Sequence, residues 1–340
     1  MLTAVLYNQS NMNGRLIVIG SNSFSGSHLI DYALKNNNKV IGISRSGEIH
    51  EVFRPYGTRP GTDYKFYSLD LNHHLTDILE LVDTFKPEYI FNFAAQGMVE
   101  ESWKNPEHWY RTNFISAVEL HNALLKRKFL KRFIQVSTPE VYGNSSGNLT
   151  EDNCCKPSTP YAVSKAACDL SLLAYNKKYG FPVLITRAAN VYGPGQQLFR
   201  VIPKTILNIK EHRKVPLHGG GRVRRSFIHI EDVVRATYEL AEKGVPGEIY
   251  HIASQNLISI RELVERICSR LDVDFESYVE QSNERDRQDN EYRLDSGKLG
   301  NLTGWKDAID LDTGLDQVID WINRNYEVLA KMPREYIHKE

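Results

Sequence analysis

The sequence predicts an α/β fold: a doubly wound parallel sheet followed by a smaller C-terminal α/β domain. The first of three observations is the apolar run Arg15-Leu-Ile-Val-Ile19, typical of a strand buried on both faces. The second is the alternation of such runs with helical patterns through the first half of the chain. The third is the glycine-containing turn that joins the first run to the first helical pattern. Repeated strand–helix units of this kind need right-handed crossovers between parallel strands.

The individual elements follow from the same patterns. A helix runs from the first turn to about Asn36, and further strands are expected at 39–43, 64–69, 89–93, 133–136 and 183–186. Helices are expected near 75–85, 107–127 and 160–179, and later at 206–210, 233–242, 260–271 and 315–325. The remaining segments are expected to form a turn at 216–221, a strand at 226–230 and a charged loop at 281–290. We therefore divide the chain into a sheet domain, 14–190 plus 226–253, and a smaller domain, 191–225 plus 254–330.

Composition excludes several classes of partner. Of the 340 residues, 42 are Lys or Arg and 42 are Asp or Glu, so net charge gives no reason to expect a nucleic acid or a membrane surface. The four cysteines form no Cys-x-x-Cys pair and have no histidine at ligand spacing, so we expect no metal site. Residues 1–13 lack a basic start and a clean apolar stretch, which makes them a poor signal peptide. These features together predict a cytoplasmic protein with reduced thiols.

The first turn has the context of a dinucleotide site. Gly20-x-x-Ser23-x-x-Gly26 follows a strand and opens a helix, where backbone N–H groups and the helix dipole favour a pyrophosphate. The first glycine allows the tight turn and the last allows close helix–sheet packing, while Ser23 replaces the usual middle glycine and can donate to phosphate. Gly20, Ser23, Phe24 and Gly26 are therefore candidate cofactor contacts, with an ordinary strand–helix turn as the alternative.

Three later strand ends complete this candidate site. Ser44-Arg45-Ser46 lacks the acid that usually binds the ribose of NAD, so Arg45 modestly favours NADP, although it could equally stack beside an adenine in an NAD site. Asp70 and Leu71 follow the third strand, in position for the adenine. Ala94 and Ala95 follow the fourth, where small residues would admit the cofactor.

Two motifs carry the candidate chemistry. Ser137-Thr-Pro-Glu-Val-Tyr-Gly143 follows the fifth strand at the carboxyl edge of the sheet, where ligands bind. Tyr161 and Lys165 are four residues apart on a helix and share one face, so the ammonium should stabilise the phenolate and lower the tyrosine pKa. The tyrosine can then take a proton from a sugar hydroxyl while a nicotinamide takes the hydride. Thr138 and Glu140 lie beside this dyad, although an ion pair is the plain alternative for the glutamate.

The chain resembles the extended short-chain dehydrogenase/reductase superfamily, with its Rossmann-type sheet, over about residues 14–330. It looks most like the nucleotide-sugar 4,6-dehydratases, especially dTDP-glucose 4,6-dehydratase. The motifs that carry the resemblance are the two above and Arg187-Ala-Ala-Asn190-Val-Tyr-Gly-Pro194, Val201-Ile-Pro-Lys204, Arg225-Ser-Phe-Ile-His-Ile-Glu-Asp232 and Arg285-x-x-x-Asp289-x-x-Tyr292.

The resemblance implies a role for each matching residue. Thr138 would hydrogen-bond the sugar O4, Tyr161 would be the base for oxidation at C4, Lys165 would support the tyrosine and the nicotinamide ribose, and Glu140 would remove the C5 proton. Asn113 would lie near the cofactor. The remaining positions, expected to bind substrate, are Gln96, Asn190, Lys204, Leu217, His218, Arg225, Arg285 and Tyr292. The superfamily usually forms homodimers through two helices per subunit, here those near 107–127 and 160–179, with a possible apolar stripe at Phe114, Val118, His121-Asn122 and Leu125.

Two departures from the dTDP-glucose enzymes keep alternatives open. Those enzymes carry an acid between the threonine and the glutamate, where this chain has Pro139. The GDP-mannose 4,6-dehydratases lack that acid too, and Arg45 is more like their NADP site, whereas the Arg285 motif is more like the dTDP-glucose enzymes. The nucleotide base therefore stays open. The leading reaction is 4,6-dehydration by internal redox; the alternatives are a nucleotide-sugar epimerase or decarboxylase and, more remotely, a non-catalytic dinucleotide-binding regulator.

Overall fold

The computed structural model describes residues 13–57, 63–144, 147–282 and 293–339. Numbered in chain order through these residues, the strands are β1 (Arg15–Ile19), β2 (Lys39–Ser44), β3 (Tyr64–Ser68), β4 (Tyr89–Asn92), β5 (Arg132–Val136), β6 (Asn148–Leu149), β7 (Val183–Ala188), β8 (Asn190–Tyr192), β9 (Val215–His218), β10 (Arg224–His229), β11 (Ile249–Ile252), β12 (Leu257–Ser259), β13 (Val279–Ser282) and β14 (Arg293–Leu294). The helices are α1 (Phe24–Lys35), α2 (Leu75–Phe85), α3 (Pro106–Tyr110), α4 (Ser116–Leu124), α5 (Pro160–Tyr179), α6 (Val201–Lys210), α7 (Ile230–Lys243), α8 (Ile260–Arg270), α9 (Phe275–Tyr278), α10 (Gly297–Thr303) and α11 (Leu311–Leu329).

Seven parallel strands form the central sheet in the order β11-β7-β5-β4-β1-β2-β3. The chain proceeds from β1 outward through β2 and β3, and then returns to place β4 on the other side of β1. The direction of winding therefore reverses between β1 and β4. In open α/β sheets, ligands bind at this point, outside the carboxyl ends of the strands. The fold confirms the predicted Rossmann-type doubly wound sheet.

Local sequence explains where the site-bearing helices begin. The Ser23 side chain caps α1 by accepting a hydrogen bond from the backbone N–H of Gly26. Thr159 caps α5 in the same way through the N–H of Ala162, and Pro160 occupies the first helical position, where its missing N–H costs nothing. Helix α5 ends at Gly180, which adopts the left-handed conformation that terminates many helices. The two helices that flank the candidate site are thus defined at their ends by short-range signals.

The C-terminal elements form a separate apolar cluster beside the large sheet. Helices α6, α8 and α11 contribute most of its buried side chains, including Ile206, Ile267 and Ile322. Two small sheets, β12-β10-β8 and β13-β9, adjoin this cluster, whereas β11 returns to the edge of the large sheet. Within the described residues, strands of the small sheets thus alternate along the chain with the last strands of the large sheet, and β10, which the predicted division assigned to the sheet domain, pairs in a small sheet.

The turn predicted at 216–221 is partly wrong, because β9 occupies Val215–His218. Val215 and Leu217 face inward while Pro216 is exposed, and the strand pairs in parallel with β13. Proline is tolerated here because β9 lies at the edge of a two-stranded sheet. Helices α6 and α11 also begin earlier than expected, at Val201 and at Leu311, the latter after the cap Asp310.

The helix expected near 107–127 is divided into three parts. Between α3 and α4, residues Arg111–Ile115 form a π-helical segment, a feature common at functional sites. The predicted apolar stripe faces inward: His121 is buried, and Phe114 and Leu125 pack against the core of the large sheet. His121 therefore cannot contribute to an interface with a second subunit, whereas Phe114, Val118 and Leu125 are half-buried and Asn122 is exposed. None of the helices in the described ranges combines the length and apolar character needed to span a bilayer.

Candidate functional site

The loop after β5 is a single turn of 3₁₀ helix, Pro139–Tyr142, at the carboxyl edge of the sheet. Thr138 caps it, with its Oγ1 3.3 Å from the backbone nitrogen of Glu140, which donates to it. Pro139 occupies the first position, where its fixed φ suits the turn. The next glycine, Gly143, has φ +64°, and a Cβ there would lie 1.9 Å from the carbonyl oxygen of Lys156. This backbone holds Glu140 in a defined place, one residue after a proline that has no proton to donate.

A buried ion pair contacts this loop through its side chains. The Arg187 guanidinium contacts the Asp169 carboxylate at 2.8 Å, with side chains 1% and 0% exposed. The Ser137 hydroxyl donates to the same carboxylate at 2.6 Å, and the guanidinium lies 4.7 Å from the centre of the Tyr142 ring. These contacts join β5 and its loop to β7 and α5. Removal of one partner would leave a buried charge uncompensated, so we expect these contacts to hold the loop after β5 in place.

Lys165 and Tyr161 lie on α5 next to this loop, but the lysine does not act on the phenol as predicted. The Lys165 ammonium is buried and donates to the carbonyl oxygen of Val136 at 2.7 Å, and burial lowers its pKa. The pKa of Tyr161 is raised, first by burial and then by the negative charge of Glu140. A hydrogen bond with the Thr138 side chain acts in the opposite direction. The expectation of a lowered tyrosine pKa is therefore wrong for this conformation, because desolvation outweighs the nearby stabilising groups.

Arg200 is a charged residue of this cluster that the sequence reasoning missed. It immediately precedes α6 and is exposed. Its positive charge interacts with Tyr161 and Glu140, and it lowers the pKa of the tyrosine. Its position in the sequence, between the motifs Asn190–Pro194 and Val201–Lys204, is the feature that could have identified it as a site residue. An arginine at the start of a helix is usually a solvated surface residue, which is why sequence alone did not single it out.

The turn after β1 has the close contacts that its glycines predict. Gly20 has φ +80°, and a Cβ there would lie 2.5 Å from the backbone nitrogen of Ala94. A Cβ on Gly26 would lie 2.5 Å from the carbonyl oxygen of Gly20. The Ser23 Oγ accepts from the Gly26 N–H at 3.0 Å, so its own O–H stays available as a donor. Phe24 is buried in the core beneath the turn. The geometry fits a dinucleotide diphosphate at the N-terminus of α1.

The adenosine side of the candidate site is formed at the ends of β2 and β3. Arg45 follows β2, and its Nη1 donates to the carbonyl oxygen of Lys339 at 3.1 Å. The Asp70 carboxylate accepts from the backbone N–H of Asn72 at 2.7 Å, which shapes the turn after β3. Leu71 packs into the core of the sheet, with little surface left for a ligand. Among the three predicted contacts at this edge, Arg45 thus contributes the positive charge.

The segment after β4 is held by a network centred on Asn113. Its Oδ1 accepts from the backbone N–H of Gln96 at 2.7 Å, and its Nδ2 donates to the Gln96 carbonyl at 3.0 Å and to the Ser164 hydroxyl at 2.9 Å. Ala94 and Ala95 precede this anchor, and Ala95 is exposed. Asn113 thereby connects the π-helical segment, the end of β4 and α5. These protein contacts give it a positioning role toward Gln96 and Tyr161's helix.

The predicted substrate residues lie mainly on the C-terminal elements. The Asn190 amide donates to the carbonyl oxygen of Ser226 at 3.2 Å, which joins β8 to β10. Lys204 is half-buried on α6, Leu217 is buried in the C-terminal cluster, and His218 Nδ1 lies 3.1 Å from Ser282 Oγ. Arg225 Nη1 donates to the carbonyl of Arg224 at 2.9 Å. Arg285 and Tyr292 lie outside the described residues.

Comparison with known proteins gives a consistent result. The model of the NAD dependent epimerase/dehydratase family matches residues 16–253. The dTDP-D-glucose 4,6-dehydratase of Mus musculus is 32% identical, over 92% of this chain and 89% of its own. A trifunctional UDP-glucose 4,6-dehydratase/UDP-4-keto-6-deoxy-D-glucose 3,5-epimerase/UDP-4-keto-L-rhamnose-reductase of Arabidopsis thaliana is 30% identical, over 92% of this chain and 47% of its own. Among solved structures, DesIV (dTDP-glucose 4,6-dehydratase) from Streptomyces venezuelae, with NAD and TYD bound, aligns with a TM-score of 0.83 at 29% identity, covering 92% of this chain and 98% of that one.

Proposed function

Because the chain belongs to the NAD-dependent epimerase/dehydratase family, we propose that it is a nucleotide-sugar 4,6-dehydratase, which converts an NDP-hexose to the NDP-4-keto-6-deoxyhexose. The observation that carries the proposal is the grouping of Thr138, Glu140 and Tyr161 at the carboxyl edge of the sheet. A carboxylate beside the tyrosine supplies a base for chemistry at C5. Simple epimerisation at C4 does not need such a base.

The chain's own residues would perform the proton transfers. Thr138 holds the C4 hydroxyl, and Tyr161 takes its proton as C4 becomes a ketone. The ketone acidifies the C5 proton, which Glu140 removes as the C6 hydroxyl leaves as water. A nicotinamide held beside Tyr161 would supply the hydride chemistry, from C4 and back to C6, with no net consumption of cofactor. Hydride addition at C6 requires C5 to take up a proton, and this proton balances the one that Tyr161 took from the C4 hydroxyl, so that Tyr161 and Glu140 both return to their starting states.

Pro139 requires Glu140 to serve two functions. A proline cannot protonate the departing C6 oxygen, so the glutamic acid formed at C5 abstraction would deliver that proton itself. The 3₁₀ turn, with Thr138 as its cap, would keep the carboxyl group toward the substrate through both steps. Arg200, next to both Glu140 and Tyr161, would stabilise the negative charge that moves between them.

The cofactor would be NAD or NADP, held by the turn from Gly20 to Gly26 and by Arg45. The DesIV structure contains NAD, which supports this class of cofactor. We propose a modest preference for NADP, because Arg45 is suited to a 2′-phosphate and the end of β2 has no acid for a ribose hydroxyl. Asn113 would act by positioning Gln96 and α5 around the nicotinamide end.

For the substrate we propose a pyrimidine nucleoside diphosphate sugar. The similar 4,6-dehydratases act on dTDP-glucose and UDP-glucose according to their names. Asn190, Lys204 and Arg225, with Arg285 and Tyr292 in the segment outside the described residues, are the proposed contacts for the diphosphate and sugar. Leu217 and His218 are the proposed contacts for the base.

Product analysis with a panel of nucleotide sugars tests the proposal. The protein is incubated with dTDP-glucose, UDP-glucose, GDP-mannose and UDP-glucuronic acid, which carries the carboxylate that a decarboxylase needs, and products are measured by mass spectrometry. We expect loss of one water from at least one pyrimidine nucleotide sugar. The Tyr161→Phe variant is the control, and its turnover should be at least ~10²-fold lower with the fold and cofactor binding retained. An unchanged mass would instead indicate an epimerase, and loss of carbon dioxide a decarboxylase.

We also propose that the protein is a homodimer that pairs through α3–α5. Large apolar side chains are exposed on these elements, in particular Leu170 (58%), together with Tyr110, Ile115 and Val163, and Trp103 (52%) is exposed in the turn just before α3. Val163 and Leu170 are seven residues apart on α5 and so share one helical face. Exposed apolar groups concentrated in one region are typical of protein interfaces.

All four cysteines are free, which agrees with a reducing compartment such as the cytoplasm.

A further inference from the structure

The last described residues of the chain contact the candidate cofactor site. The carbonyl oxygen of Lys339 accepts hydrogen bonds from Arg45 Nη1 at 3.1 Å and from Gln96 Nε2 at 2.7 Å. Arg45 follows β2 and Gln96 follows β4, the two strands that flank β1. One oxygen that reaches both side chains therefore bridges the carboxyl end of β1. This is where the turn from Gly20 to Gly26 opens α1 and where a diphosphate would bind.

Arg334, Tyr336 and His338, every second residue of this terminal segment (334–339), contact the rest of the protein. The Arg334 guanidinium makes a bidentate ion pair with the Glu211 carboxylate. The Tyr336 ring packs edge-on against Phe199 at 5.7 Å between centroids. The residues between them point outward, and Ile337 is 64% exposed. The segment therefore lies extended, with every second side chain against the protein.

His338 provides the anchor nearest to the bridging carbonyl. Its ring lies nearly parallel to the indole of Trp109, with 5.1 Å between centroids and 6° between planes. Its Nε2 is 2.9 Å from Nδ1 of His108. Both partners are on α3, the short helix that packs against α5. The segment consequently reaches from Glu211, at the end of α6, past Phe199, before the start of α6, to the helix α3 that packs against the helix of Tyr161.

The segment occupies hydrogen-bond donors of Arg45 and Gln96 that a bound dinucleotide or substrate would also need. Arg45 is the proposed dinucleotide contact and Gln96 the proposed substrate contact, and the Tyr336 hydroxyl additionally donates to Gln96 Oε1 at 3.5 Å. A neutral carbonyl is a weaker acceptor for a guanidinium than a phosphate oxygen, so a charged ligand can displace it. The segment and the dinucleotide are therefore competitors for Arg45.

We propose that residues 334–339 form an autoinhibitory strap, which closes the dinucleotide cleft through its contacts with Arg45 and Gln96 and is displaced when the dinucleotide binds. This inference rests on the proposed function for the identity of the ligand. If only the open form binds, the apparent dissociation constant is the intrinsic one divided by the open fraction. A strap closed for about nine-tenths of the time would thus weaken binding roughly tenfold.

Direct binding measurements on four proteins test the strap. NADH and NADPH are titrated by fluorescence into the full chain, a chain that ends at Pro333, and the variants His338→Ala and Ile337→Ala. We expect the truncated chain to bind its preferred dinucleotide several-fold to about tenfold more tightly. His338→Ala should show part of this gain, because it removes one anchor. Ile337→Ala, which changes an outward side chain of the same segment, should bind like the full chain.

The outcomes separate the strap from the proposed function. Equal affinities in all four proteins would overturn the strap and leave the function intact, and weaker binding by the truncated chain would make the segment a clamp over bound cofactor. Absence of dinucleotide binding in every variant would refute the function and the strap together. Trypsin gives a second readout that does not need truncation: saturating dinucleotide should speed cleavage after Arg334 in the full chain. Slower cleavage would count against displacement.

Discussion

The charge of Arg200 acts on the phenol of Tyr161 and lowers its pKa, in opposition to burial and to Glu140. Arg200→Gln removes this stabilisation of the phenolate, so the tyrosine pKa should rise further. Because the proton acceptor at C4 is the phenolate, the rising limb of turnover against pH should move to higher pH. Arg200→Lys, which keeps the charge, is the matched control and should shift the profile less. A Gln variant with the wild-type profile would remove Arg200 from the mechanism.

Glu140→Gln should separate the two halves of the proposed reaction. The variant keeps Thr138 and Tyr161, so adding substrate should still reduce the bound nicotinamide, seen as absorbance of the reduced form. It has no base for C5, so deuterium exchange at C5 and loss of water should both stop, with a fall in turnover of at least ~10²-fold.

The position of Pro139 gives this experiment a second use. If the wild-type protein oxidises C4 yet releases a product of unchanged mass, the proline marks an enzyme that does not eliminate water, and the dehydratase assignment fails. If water is lost in the wild type but C5 exchange persists in Glu140→Gln, another residue is the base.

Arg45→Ala tests the proposed cofactor preference. A guanidinium that contacts a 2′-phosphate makes a charge-assisted hydrogen bond, so its loss should weaken NADPH by about tenfold or more and NADH much less. Equilibrium titration of both nucleotides measures this. Arg45→Lys keeps a charge without the planar fork and should be intermediate. Equal losses for the two nucleotides would show that the arginine has another purpose.

Leu170→Glu tests the proposed dimer. A charge in the middle of the exposed apolar face of α5 should prevent pairing, so light scattering at micromolar concentration should change from a dimer mass to a monomer mass. Val245→Glu is the control, because Val245 is also an exposed large apolar residue (50%) but lies in the turn after α7. A wild-type protein of monomer mass would refute the proposed dimer.

His121 gives a prediction about stability. It is buried against Phe133 and Phe181, neither ring nitrogen has a hydrogen-bond partner within the described residues, and burial lowers its pKa to about 3. In the unfolded chain the ring has a pKa near 6.5. Above pH 6.5 it is neutral in both states, so its burial as a neutral ring carries no protonation cost in the free energy of unfolding. Stability is then lost as pH falls toward 3, by roughly 1.4 kcal/mol per pH unit.

His121→Phe should remove that pH dependence. The difference in free energy of unfolding between the variant and the wild type should therefore grow as pH is lowered from 7 to 5, measured by urea unfolding at each pH. His73→Phe is the matched control, because it makes the same substitution at an exposed position. A constant difference between His121→Phe and the wild type would show that burial does not lower the pKa of His121.

The large sheet could be predicted because its strands are buried on both faces, which makes each a continuous apolar run. Strand β1 and helix α2 have the bounds expected from their patterns. Strands β9 and β13 could not be predicted, since each is four residues long and its partner lies far along the chain. Thr138, Tyr161 and Lys165 could be recognised because they belong to sequence motifs. Arg200 could not, because it lies near Tyr161 only through the position of α6 in the folded chain.

The pKa of Tyr161 and the course of residues 334–339 were beyond sequence reasoning for a related reason. Desolvation depends on what surrounds a group in three dimensions, and the terminal segment is polar and held by single side-chain contacts with distant elements. Neither leaves a periodic pattern.

The central position of β1 has a consequence for how the protein is made. Its neighbour β2 follows closely in the chain, but its other neighbour, β4, is synthesised much later, and the edge strand β11 later still. A nascent chain on the ribosome therefore exposes an unpaired apolar edge of β1 until β4 emerges. Such intermediates aggregate readily, and parallel pairings between distant segments form slowly. Yield in recombinant expression should thus depend on synthesis rate and chaperone supply more than on the stability of the finished sheet.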